Sequence, residues 1–318
     1  MTITHTPVLI IGYQRPENVE RIIETCVLAG IEKIYLSVDY PKSDDKNSLE
    51  KYRTVLNIRN SIKYSSLTFE INTYSTNLGC SAHVLSACDW VFSHEDHVII
   101  LEDDCLPSLD FFKFCSFYFS IENQFENLVL ASGSQFAPNT DGLDHAFFSK
   151  YALIWGWATT RKNWARIRPG IIDSQMYGWK LLEWDEESVY WKEGSRRARA
   201  GIVDAWDTPL VNYIVQSGFF TLAPRNNLVS NVGDDHVATH TNSGSDWLRK
   251  ETGTFNNSSS LKLEFDSEND DYLKRDFYRI RKRHLISTRL TRLRDLMSKQ
   301  RRITLSEAVE RASQFQLE

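Results

Sequence analysis

Cysteine is scarce in this 318-residue chain, and the way it is placed excludes two kinds of protein. The five cysteines (Cys26, Cys80, Cys88, Cys105 and Cys115) are odd in number, form no CxxC pair and lie mostly in apolar runs. They read as small buried hydrophobes in a reducing compartment, so neither a disulfide framework nor a zinc site is expected. Long apolar runs are missing too. The only one near the N-terminus is Val8 to Ile11, so no secretory signal and no membrane span is expected, and the expected location is the cytoplasm. Positive charge is not in surplus: the net charge of −5 argues against a nucleic-acid partner. What remains is ordinary for a globular protein, 42% hydrophobic and 25% charged. The length allows one large α/β domain or two smaller ones.

Taken in order, the chain alternates strands and helices. Val8 to Gly12 reads as a strand, and Pro16 opens a helix carrying Val19, Ile22, Ile23, Cys26 and Val27 at helical spacing before Gly30. Ile34 to Val38 is a second strand, Leu49 to Asn60 a helix and Leu67 to Asn72 a third strand. Another helix bears Val84, Leu85, Cys88, Val91 and Phe92 on one face; Val98 to Leu101 is the next strand. Ser108 caps a helix beginning near Asp110, and Leu128 to Ala131 follows as a strand. This alternation predicts an α/β fold: a Rossmann-like, mainly parallel sheet with helices on both faces.

Within that frame the polar residues gather at strand ends. Val98 to Leu101 runs straight into Glu102, Asp103 and Asp104, while Gly12, Arg15, Asp39 and Asn77 follow the other strands. Ligands of open α/β sheets collect beyond the carboxyl ends of the strands. Three adjacent acids repel one another, and oxygen-only ligation suits Mg²⁺ or Mn²⁺, ions that commonly carry substrate phosphates. A solvated acidic turn is the plainer reading of the triplet taken alone.

From Phe147 onward tryptophan concentrates: Trp155, Trp157 and Trp164, then Trp179, Trp184, Trp191, Trp206 and Trp247. Core packing is the default for each, with Trp155 or Trp157 as a platform for a sugar ring the sharper alternative. Ile202 to Val215 holds two isolated carboxylates, Asp204 and Asp207, and Thr221 to Thr241 holds His236 and His240. Residues 251–260 read as a linker. Beyond it, Lys274 to Arg302 contains twelve Lys or Arg against two Asp, a local charge of +10 that leaves −15 on the remainder. Interspersed apolar residues make this tail, residues 261–318, at least partly an amphipathic helix. Its basic face either packs on the acidic body or meets anionic lipid at the inner face of a membrane.

The order of features resembles that of GT-A-fold, nucleotide-sugar-dependent glycosyltransferases, in particular the N-acetylglucosaminyltransferase I family and bacterial surface-polysaccharide transferases of the same layout. The resemblance covers roughly residues 7 to 245 and rests on VLIIGYQRPENVERII with Arg15, IYLSVDYP with Asp39, LEDDCLPSLDFFKF, IWGWATTRKNW and DAWDTPL. One departure is clear. The family motif reads Trp-Asp-Asp-Trp with the base at its second Asp, whereas Thr208 and Pro209 follow Trp206-Asp207 here.

The resemblance implies a transferase domain over residues 1–250, with a nucleotide-binding half over 1–135 and an acceptor-side half over 136–250. It implies Asp104 on a metal, Mn²⁺ or Mg²⁺, with Glu102 and Asp103 orienting nucleotide and sugar beside Gly12 and Asn77. Arg15 is expected to pair with phosphate oxygens and Asp39 to accept the uracil imide N–H. His236 or His240 completes the metal or diphosphate site or has a plain structural role; His240 is the candidate ligand. Asp207 or Asp204 is the base of an inverting transfer of a hexosyl or N-acetylhexosaminyl group, the donor being UDP-linked and the acceptor a glycan or lipid-linked saccharide. A sugar-phosphate nucleotidyltransferase shares fold and metal but wants a Gly-rich basic loop after strand one, where GYQRPEN offers only Gly12. A non-catalytic carbohydrate-binding protein explains the tryptophans and leaves the acid triplet without a purpose.

Overall fold

Five residues in a row, Val8–Gly12, form β1, and all five are buried. A strand apolar on both faces belongs in the interior of a sheet that helices cover on both sides. A computed structural model bears this out; it describes residues 6–138, 145–173, 185–233, 250–257, 263–282, 286–288, 290–291, 294, 303–314 and 316–317. β1 pairs in parallel with β2 (Lys33–Val38) and with β4 (His97–Glu102), and β3 (Thr68–Tyr74) extends the sheet beyond β2. The crossovers are α1 (Pro16–Leu28), with Pro16 in its first turn, α2 (Lys46–Asn57) and α3 (Cys80–His94). After a short β5 (Cys105–Pro107), Ser108 caps α4 (Leu109–Ile121) by accepting from the Phe111 N–H, and β6 (Leu128–Ser132) follows.

The second half departs from simple alternation. β7 (Ala146–Ser149) leads to β8 (Trp157–Thr160), which inserts antiparallel between β4 and β6. Every residue of β8 is buried, and Thr159 Oγ1 donates to the Val129 carbonyl (2.6 Å). α5 (Arg161–Ile172), α6 (Glu186–Arg199) and α7 (Asp207–Ser217) then precede β9 (Phe220–Pro224), parallel to β6 and flanked by β7. Among the described residues the sheet order is β11-β3-β2-β1-β4-β8-β6-β9-β7, where β11 is Gln316–Leu317. Only β7, β8 and β11 run against the rest. One sheet therefore takes strands from both residues 1–135 and residues 136–250.

Alternating residues of β1 divide between two apolar layers. Val8 and Ile10 face α1 and α4, while Leu9 and Ile11 face α3, α5, α6 and α7. The second layer contains the tryptophans. Trp157, Trp164, Trp191 and Trp206 are all buried there, and Trp157 packs against Trp206 with ring centroids 5.7 Å apart.

Residues 251–257, whose composition reads as a linker, are held against the body. Phe255 is buried edge-on to Phe114, and its N–H donates to Asp110 (3.0 Å). What composition misses is that one buried aromatic anchors a polar run. The tail is docked at both ends. The Phe148 N–H donates to the Glu264 carbonyl (2.9 Å) along the β7 edge, and α8 (Ser267–Tyr272) follows. Lys274 pairs with Glu186 (3.3 Å) and Glu187 (3.5 Å), and Leu273 and Ile280 are buried. Further on, α9 (Leu305–Gln314) packs on α3, burying Leu305 and Ala312, and β11 pairs with β3. No helix among the described residues is long and apolar enough to cross a membrane.

Candidate active site

The strand order brings the carboxyl ends of β1, β2 and β4 side by side, and β8, running the other way, starts at the same rim. A cleft of about 440 Å³ opens there. Gly12, Arg15, Asp39, Asn77, Glu102, Asp103, Asp104, Trp155, Asp204 and Asp207 all line it, so residues nearly two hundred positions apart in sequence meet in one place. Trp157 does not. It is 1% exposed in the middle of β8, so its indole is core and cannot serve as a sugar platform. The alternation of a strand puts Trp155 and Trp157 on the same side, but Gly156, at φ +68°, turns the chain between them. Trp155 is left half-buried against Phe136 at the cleft wall. His236 and His240 lie outside the described residues.

The triplet does not behave as three equivalent acids. Asp103 is buried, accepts from the Tyr13 N–H (2.8 Å) and pairs with Arg15 (2.6 Å). Burial pushes its carboxyl up to about 6 against the pull of the Arg15 charge. Arg15 also stands 3.7 Å from Asp104, so the guanidinium expected on a phosphate is already engaged by the triplet. Glu102 is driven well above the usual carboxylate range, first by burial and then by the charges of Asp104, Asp103 and Asp207. Asp104 keeps 22% of its side chain exposed and accepts from the Cys105 thiol (3.3 Å). Gly233 sits against it: a Cβ there would come within 2.6 Å of Asp104 Oδ2, so only glycine fits.

At the other end of the cleft the carboxylates have a different duty. Asp39 accepts from the N–H groups of Leu78 (2.9 Å) and Gly79 (3.1 Å) and from the Asn77 amide (2.9 Å). Asp204 takes the next two amides, Cys80 (2.9 Å) and Ser81 (2.9 Å), and so caps α3 from a distant segment. Four consecutive backbone donors are thus shared between two aspartates from opposite halves of the chain. Gly79, at φ +81°, is required here, because a Cβ would approach Asp204 Oδ2 to 2.9 Å. Burial still pushes Asp39 up to about 7, opposed by the Leu78 and Gly79 N–H groups and reinforced by the Asp204 charge. Asp204, a candidate base by sequence, is a structural cap in this arrangement. Asp39, a candidate for the uracil imide, is first of all a strut for the turn before α3. Asp207 instead opens α7, and its charge is felt by Glu102.

Several cleft residues were not singled out from sequence. Tyr13 accepts from the Lys42 N–H (3.1 Å) through its hydroxyl, and Lys42 joins it at the rim. The basic residue in the loop PKSDDKNS was the available signal. Asn231 enters because β5 pairs with β10 (Val229–Asn231), a contact over more than a hundred residues that no local pattern announces.

Among the described residues no three His, Cys, Asp or Glu side chains converge as a ready-made metal cage. Mg²⁺ and Mn²⁺ are commonly held by one or two carboxylates with substrate phosphates and water filling the remaining positions. Asp104, partly exposed and next to the carboxyls of Glu102 and Asp103, fits that mode.

No family model matches this chain, and no curated protein sequence matches it. Among solved structures, a UDP-glucose pyrophosphorylase complexed with UDP-glucose is similar over 69% of this chain and 89% of that one. The TM-score is 0.36 and the sequence identity 8%.

Proposed function

We propose that this protein transfers a sugar from a nucleotide-diphosphate sugar to an acceptor hydroxyl, with inversion at the anomeric carbon and with a divalent ion bound. The observation that carries the reading is the meeting of the Glu102-Asp103-Asp104 triplet and Asp207 in one cleft at the carboxyl ends of the strands. Asp104, with Glu102 beside it, would hold Mn²⁺ or Mg²⁺, which when bound offsets the negative charge that develops on the departing diphosphate.

The protein's own residues supply the rest. Arg15 holds Asp103 and faces Asp104, which fixes the triplet relative to the turn after β1. Asp207 takes the proton of the acceptor hydroxyl as its oxygen attacks the anomeric carbon. The bond from that carbon to the diphosphate oxygen breaks on the opposite face, and its electron pair leaves with the diphosphate. Trp155 offers a half-buried ring to the apolar face of a sugar on the acceptor side.

The test is incubation with a panel of nucleotide sugars and Mn²⁺. Release of nucleoside diphosphate, dependent on the metal and raised by a saccharide acceptor, is expected. Formation of pyrophosphate from a nucleoside triphosphate and a sugar phosphate would assign nucleotidyl transfer instead. Binding of saccharide without either product would leave a carbohydrate-binding protein.

A further inference from the structure

The tail is not uniform. Its first and last parts bury their apolar side chains in the body: Leu273 and Ile280 on one side, Leu305 and Ala312 on the other. Between them the pattern inverts. Residues 286–288, 290–291 and 294 are helical, yet Ile286 is 69% exposed and Leu290 is 62% exposed. Positions i and i+4 share one face of a helix, and the sequence continues that spacing with Leu293 and Met297. The described basic residues around them, Arg281, Lys282 and Arg294, are exposed as well.

We infer that Arg281, Lys282, Ile286, Leu290 and Arg294 form a docking surface for an anionic phospholipid bilayer. Two observations favour a bilayer over other partners. A helix that exposes large apolar side chains among arginines can satisfy both at once where acyl chains lie beneath anionic head groups. The apolar stripe would find nothing to bury against on a nucleic-acid backbone. Charge also fixes the orientation. Lys274 to Arg302 carries +10 while the rest of the chain carries −15, so an anionic surface attracts this segment and repels the body. Tyr278, eight residues before Ile286, lies close enough to Asp207 to feel its charge. The inference does not depend on the reaction proposed above.

The test is flotation of the full-length protein with vesicles of phosphatidylcholine alone and with phosphatidylglycerol added. Binding only to the anionic vesicles, reversed by high salt, is expected. Ile286→Asp combined with Leu290→Asp should reduce partitioning by about tenfold or more. Arg281→Gln, Lys282→Gln and Arg294→Gln should each reduce it by about fivefold. The thermal midpoint should hold throughout, because all these side chains are exposed. Equal flotation of wild type and the double variant would overturn the inference, as would the absence of any preference for anionic vesicles. A concentration-dependent dimer that the double variant abolishes would also overturn it, assigning the face to a second copy of the chain.

Discussion

The two ends of the cleft use the same side chain for opposite purposes. At the α3 end, Asp39 and Asp204 commit their oxygens to four successive backbone N–H groups and so tie the turn and helix together. At the β4 end, buried Glu102 is pressed by the charges of Asp104, Asp103 and Asp207, and Arg15 opposes them. A carboxylate whose oxygens are taken by amides stabilises a turn, whereas one set among like charges keeps a capacity for cations. Sequence shows six acids at strand and helix ends; only their partners divide them into two groups.

That division can be broken by experiment, and the largest effect should come from Asp207. Asp207→Asn should lower turnover by roughly 10²–10⁴-fold, the usual contribution of a positioned general base, with donor affinity near wild type. A larger loss in Asp204→Asn would reverse the two ends of the comparison. Asp104→Asn should come next: calorimetric binding of the nucleoside diphosphate should lose its dependence on Mn²⁺, and a chelator should do the same to the wild type. Unchanged affinity in the variant would remove Asp104 from the metal.

At the saturated end the readout is stability. Asp204→Ala strips the cap from α3 and should cost about 1–2 kcal/mol in denaturant unfolding. A midpoint unchanged from wild type would mean that the cap carries no weight. The smallest effect is one of pH. Asp39 titrates at about 7 in the folded protein against an ordinary value of 3.8. Between these values the folded state binds the extra proton, so this group's contribution to stability falls as pH rises through that window. From pH 6 to 7 the loss should be about 1 kcal/mol, and it should vanish in Asp39→Asn.

Much of the β4 end was legible in the sequence because it is built from local patterns. An apolar strand delivers Glu102-Asp103-Asp104 to the rim, and Ser108 starts the following helix as its type suggests. Arg15, Asp39 and Asn77 could be placed on the same rim from the βαβ alternation alone. The partners could not. That Arg15 would choose Asp103, or that Asp204 would reach across to cap α3, depends on contacts separated by 88 and 124 residues. β8 was hidden for a related reason: four residues beginning with tryptophan look like a loop segment until their burial between β4 and β6 is known. Composition gave no sign that residues 251–257 lie against the body, held by buried Phe255 and by the Gly253 N–H donating to the Asn227 carbonyl.

The docked tail has a consequence for synthesis and quality control. Residues 264–266 bridge β7 at Phe148 and β11 pairs with the end of β3 at Thr73 and Tyr74, so among the described residues both margins of the sheet are partly covered by chain made after every other strand. Until that chain leaves the ribosome, two rows of unpaired N–H and C=O groups stand open to any passing strand. A nascent or truncated product ending before residue 264 would carry both open margins into a crowded cell. Such a product is a natural client for chaperones, and its fate would be aggregation or proteolysis, however complete its cleft.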